Sequence, residues 1–150
     1  MRWLLLDEIT EIRKGVHAVA RSHIPDVPLS PEPLFLEMMA QTAGLVLGAE
    51  NDYRTDLVIA KIEKALFQTG WASGDALEVR CCTDQIREEG AWFEGNITGP
   101  SGPVVSARLL LMKMPSPIPE QGRSVTFHPA FMEHFNVRAH VSTAGKPESV

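Results

Sequence analysis

The chain has 150 residues, of which 44% are hydrophobic and 22% charged, with a formal net charge of −5. That length and composition fit one globular domain around one core. The acidic balance argues against a general nucleic-acid binder, which needs clustered Lys and Arg to neutralise phosphate.

The N-terminal apolar run, Trp3 to Leu6, is cut by Asp7 and Glu8. It is too short for the core of a signal peptide and far too short for a membrane span. Cys81 and Cys82 are adjacent. Neighbours on a strand point to opposite faces, so these two cannot form a framework disulfide. The expectation is a cytoplasmic protein with no membrane and no nucleic-acid partner.

Two strands are expected first, over 3–13 and 15–22, with a turn near Lys14 and Gly15. Residues 23–33 carry Pro25, Pro28, Pro31 and Pro33 and cannot form a regular element. Residues 34–49 (LFLEMMAQTAGLVLGA) read as a helix that is apolar almost all round, with only Glu37, Gln41 and Thr42 polar. Such a helix is buried on most sides. Ser30 suits its N-cap, and Pro31 and Pro33 suit a first turn, where a missing N–H costs little. Glu32 is then one of the few residues in that turn with a free backbone N–H. Four more strands are expected over 57–67, 76–87, 90–98 and 103–114, separated by Gly-Asp, Glu-Gly and Pro-Ser-Gly-Pro turns. The order predicts an α+β fold, an antiparallel sheet wrapped around one long helix. Residues 1–114 form that domain. Residues 115–150 read as a proline-rich linker and a C-terminal extension, partly disordered, with aromatics that can pack.

Glu37 and Gln41 fall at helical spacing with Leu34, Met38 and Leu45, on what reads as a core stripe. An unpartnered buried carboxylate is costly, so a buried carboxyl group favours its neutral form and can serve as a general acid. A polar group satisfied inside a core explains Glu37 equally well on these facts. His23 opens the proline-rich loop and, taken alone, is an ordinary loop residue. His128, His134 and His140 are six apart, which is no ligand spacing, and no metal site is expected. There is no nucleophile elbow, phosphate-binding loop or dinucleotide fingerprint.

Read together, residues 23–41 run H-I-P-D-V-P-L-S-P-E-P-L-F-L-E-M-M-A-Q. This resembles the signature of the hotdog-fold 3-hydroxyacyl-(acyl-carrier-protein) dehydratases of bacterial fatty-acid synthesis. In that family a His is followed by x-Pro, further prolines and, fourteen residues on, a carboxylate on the central helix. His23 and Glu37 have that spacing, and Met39, Ala40 and Gln41 follow as in the family. Residues 59–67 resemble its strand after the helix, and Gly74-Asp75 its Pro-Gly-Asp turn with Ser73 for Pro. The likeness covers roughly 3–114.

The resemblance implies dehydration of a 3-hydroxyacyl thioester, on acyl carrier protein or coenzyme A, to the trans-2-enoyl thioester. His23 and Glu37 are the catalytic residues it implies, with Glu32 and Gln41 as substrate-binding positions. It implies no cofactor and no metal, an apolar acyl tunnel beside the helix, and a homodimer or trimer of dimers whose sites draw His and carboxylate from two subunits. The chain departs from the pattern at Glu32 and Asp26, where the family has Gly, and in a shorter approach to His23. A non-catalytic acyl-binding or partner subunit and a hotdog thioesterase are the alternatives.

Overall fold

The computed structural model describes residues 5–28, 30–114 and 126–142. A hairpin of β1 (Glu8–Arg13) and β2 (His17–His23) leads to helix α1 (Glu32–Gly48), which runs into a 3-10 turn at Ala49–Asn51. Strands β3 (Leu57–Phe67), β4 (Ala76–Ile86), β5 (Gly90–Gly99) and β6 (Gly102–Lys113) follow. Beyond them come a short helix α2 (Pro129–His134), a 3-10 turn at Val137–His140 and a two-residue strand β7 (Val141–Ser142). The sheet order is β3-β6-β5-β4-β2-β1-β7. All pairings are antiparallel except that of β7 with β1.

Strands β3 to β6 lie within a residue or so of their expected places. The first strand begins at Glu8 rather than residue 3. Residues 5–7 lie outside the β1 ladder, where Leu5 and Asp7 bond to side chains. The start of the expected strand, the proline-rich linker and the expected disordered tail from residue 143 lie outside the described residues.

Helix α1 packs against all six of β1 to β6. Phe35, Met38, Met39, Leu45, Val46 and Leu47 are its largest fully buried side chains. Each contributes about 1.5–3 kcal/mol from burial. Cys81 on β4 belongs to the same core, and its thiol donates to the Met39 carbonyl on α1 at 3.3 Å. Burial pushes that thiol far up from its ordinary range, so it stays a neutral donor.

The last turns of α1, from Thr42 to Ala49, are buried on every side. The reason is the segment from 126 on. Phe127, Met132, Phe135 and Val137 join the main core, and β7 extends the sheet. The described residues 126–142 therefore share one core and one sheet with the described residues up to 114. Phe127 stacks edge-on against Tyr53, with ring centroids 5.0 Å apart. Tyr53 closes the helix: its backbone N–H donates to Gly48 O at 2.8 Å and its hydroxyl to Leu45 O at 3.1 Å. The Gly48 carbonyl, one of the orphans of the helix end, is satisfied this way, and Leu45 O, which also accepts from Ala49 N–H, gains a second donor. Burial raises the phenol's pKa, which keeps the hydroxyl a donor.

Gly48 sits where these rings meet. A Cβ there comes within 2.6 Å of both Phe127 and Tyr53. Gly48→Ala gains about 1 kcal/mol of helix propensity but meets an overpacking cost of about 1–3 kcal/mol. We expect net destabilisation in urea unfolding, made smaller when Phe127→Leu removes one of the two rings and leaves the Tyr53 contact in place. A gain in the wild-type background contradicts this packing. Cys81 supplies a second test. Iodoacetamide should alkylate Cys82 alone in the native protein and both cysteines after denaturation, as read by peptide mass; native labelling of Cys81 contradicts its burial.

Candidate active site

The entry to α1 sets one wall. Pro31, not Ser30, is the N-cap, and the helix begins at Glu32 with Pro33 in its first turn. The reason is the Pro31 carbonyl, which accepts from both Leu34 N–H at 2.9 Å and Phe35 N–H at 3.1 Å. Ser30 Oγ instead accepts from Glu32 N–H at 3.5 Å, the outer limit of a hydrogen bond. Pro33 has no N–H. The Glu32 N–H is therefore the weakly held donor of the first turn, at the positive end of the helix dipole. The Glu32 side chain is exposed there, and its charge favours the helix start.

Glu37 and Gln41 lie one turn and two turns further on. Glu37 Oε1 accepts from Gln41 Nε2 at 3.2 Å. They do not share the core stripe of Met38 and Leu45. Both are half-buried, and they stand with Leu36 and Ala40 on a flank of α1 that the sheet leaves partly open. The carboxyl group is thus less enclosed in the single chain than its spacing suggested.

His23 is the last residue of β2, paired with Ala76 of β4. Along β2, Ala18, Ala20 and Ser22 are buried, while Arg21 and His23 are exposed. Strand alternation thus turns His23 away from the face that carries Ser22. Its Nδ1 lies 2.8 Å from Asp7 Oδ2. Within one chain, the described hydrogen bonds and ion pairs join His23 to Asp7 and Glu37 to Gln41, not His23 to Glu37.

Residues 5–7 tie the two groups together. Leu5 N–H donates to Gln41 Oε1 at 3.4 Å, and the Ser22 hydroxyl donates to Leu5 O. Asp7 N–H donates to Arg21 O at 2.8 Å, which sets the Asp7 side chain beside His23. Neither Leu5 nor Asp7 was singled out from sequence. Counting back equally from Arg13 and His17, the first pair of the hairpin, brings Asp7 abreast of His23 only in an unbroken ladder. A bulge between Ile9 and Glu11 shifts that register by one residue.

Among the described residues, no group of three or more His, Cys, Asp or Glu could hold a metal ion. No described helix is long and apolar enough to cross a membrane.

No protein-family model matches the chain. Curated relatives do. The 3-hydroxyacyl-(acyl-carrier-protein) dehydratase FabZ of Caldanaerobacter subterraneus subsp. tengcongensis is 31% identical over 97 residues, covering 57% of this chain and 69% of the relative. The FabZ of Ruegeria sp. is 30% identical over 106 residues, covering 61% and 66%. Among solved structures, the dehydratase heterocomplex ApeI:P from Xenorhabdus doucetiae superposes with a TM-score of 0.62 at 20% identity, over 75% of this chain and 84% of that one. A hypothetical thioesterase with coenzyme A from Streptococcus pneumoniae gives 0.58 at 16% identity, over 71% and 84%. These two share the hotdog fold, one antiparallel sheet around one long helix. With that fold, the His23 to Glu37 motif and the coverage of the curated relatives, the chain belongs to the FabZ family of 3-hydroxyacyl-(acyl-carrier-protein) dehydratases.

Proposed function

We propose that this protein dehydrates a 3-hydroxyacyl thioester, carried on acyl carrier protein or coenzyme A, to the trans-2-enoyl thioester. The observation that carries the reading is the pair Glu37–Gln41 on a half-open flank of an otherwise buried helix, in a chain of the FabZ family. His23 removes the proton α to the thioester carbonyl. Glu37, in its protonated form, gives a proton to the departing 3-hydroxyl, which leaves as water. Gln41 Nε2 holds the Glu37 carboxyl in place through one oxygen and leaves the other for substrate. The Glu32 N–H and the helix dipole polarise the thioester carbonyl as enolate character develops. The acyl chain follows the apolar part of the flank, Leu36 and Ala40.

No described hydrogen bond or ion pair joins His23 to Glu37 within one chain, and in the proposed site they come from two. The surface for such pairing is β3. Among the described residues it is an edge strand, laddered with β6 and bonded at Leu57 to Thr126, and it exposes Val58, Ile59, Ile62 and Leu66. A long apolar edge with unpaired backbone groups is a template for another strand. A homodimer through β3, alone or within a trimer of dimers, covers it. A second reading is favoured by the heterocomplex neighbour: the partner is a related subunit rather than a second copy. A protein that runs as a monomer by light scattering and is inactive alone supports that reading over the first.

The direct assay offers a 3-hydroxyacyl-pantetheine thioester and follows the enoyl product. His23→Ala and Glu37→Gln should each lower kcat by about 10²–10⁴-fold, the usual contribution of a general acid or base. Product formation that persists in both variants overturns the residue assignment. Glu32→Gly should raise kcat/KM several-fold, because it removes a negative charge from beside the developing oxyanion and opens the backbone to the thioester. An unchanged or lower value shows that Glu32 does not face the carbonyl.

A further inference from the structure

We infer that Asp7 is the positioning residue for His23, holding it in the one neutral tautomer that can act as a base toward substrate. The inference rests on the dehydratase reading above for its catalytic meaning, but its geometry is independent of it. Asp7 Oδ2 lies 2.8 Å from His23 Nδ1, with both side chains about half exposed. An ionised carboxylate can only accept a hydrogen bond. Nδ1 must therefore carry the proton, which leaves the lone pair of the neutral ring on Nε2. The open side of the ring is then the basic side.

Asp7 is itself held. Its N–H donates to Arg21 O, and two residues earlier the Leu5 peptide is fixed between Gln41 of α1 and Ser22 of β2. His23 is similarly fixed in the ladder opposite Ala76. The next residue, Ile24, donates to Asp75 O at 2.9 Å and accepts from Gly74 N–H at 2.9 Å. Two anchored backbones thus present a carboxylate to one nitrogen of the ring and, among the described residues, leave the other without a hydrogen bond. The neighbouring charged groups are paired elsewhere: Glu8 with Arg21 at 3.4 Å, and Asp75 Oδ2 with Ala72 N–H at 2.9 Å. The short approach to His23 is therefore compensated by a local support that the N-terminal segment supplies. During turnover the α proton passes from substrate to Nε2, and the positive ring that results is stabilised by the Asp7 carboxylate on its far side.

The test has a structural arm and a kinetic arm. In protein labelled with ¹⁵N-histidine, at a pH well above the ordinary histidine range, the His23 nitrogen shifts report which atom bears the proton. Wild type should show Nδ1–H. Asp7→Asn, whose amide can donate to Nδ1, should shift His23 toward Nε2–H. It should also lower kcat by tenfold or more, roughly, within the range of a lost general base, with KM little changed. Asp7→Glu should restore the tautomer and part of the rate. An Nε2–H ring in an active wild type overturns the Asp7 assignment and leaves the dehydratase reading standing. So does an Asp7→Asn variant with unaltered kcat. An inactive wild type with Nδ1–H protonated does the reverse: it sinks the dehydratase reading and upholds the pair.

Discussion

The structure depends on covering one helix that is apolar on nearly every side. A surface helix has a polar face to turn to water; beyond Glu32 at its start, α1 has only Glu37, Gln41 and Thr42 to offer. Thr42 is consumed within the helix, where its hydroxyl donates to Met38 O at 2.8 Å. The sheet covers α1 from strands β1 to β6, and the segment 126–142 seals its last turns. What remains half-open is the flank of Leu36, Glu37, Ala40 and Gln41. The uncovered flank and the polar pair coincide. On the proposed reading, that open flank is where the Glu37 carboxyl meets substrate.

The N-terminal residues give this arrangement its second half. Leu5 bridges the helix to β2 through Gln41 and Ser22, and Asp7 reaches His23. The two polar centres are thus linked through residues 5–7, with no described hydrogen bond directly between them. Movement of residues 5–7 disturbs both together, which makes this short strap a better target for perturbation than either catalytic candidate alone. The remaining charged cluster of the sheet has a different character. Arg108 bonds Asp84, Glu63 and Glu94 and lies over Trp92, so its donors are already occupied by side chains of neighbouring strands. It joins strands rather than binding a ligand.

Much of this was legible in the sequence, for identifiable reasons. Strands β3 to β6 are bounded by turn residues that permit few alternatives, and α1 is too long and too apolar to be anything but a core helix. Ser30 is the usual residue type for a cap, yet Pro31 takes that place because its carbonyl accepts two first-turn N–H groups. Helical spacing groups Glu37 with core residues, but spacing gives a helical face and not which face the sheet covers. The role of 126–142 was hidden because its apolar residues follow a proline-rich stretch and show no long period. The Asp7–His23 contact was hidden because it depends on hairpin register, which the bulge near Ile9 shifts.

The central claim is that His23 of one chain works with Glu37 of another. The most direct measurement is complementation between two inactive variants, His23→Ala and Glu37→Gln, mixed, unfolded and refolded together. If sites are shared across a dimer, half of the dimers are mixed and each carries one intact site, so about a quarter of wild-type activity should return. No recovery, with mixed dimers present by mass, contradicts the shared site and places His23 and Glu37 in separate roles.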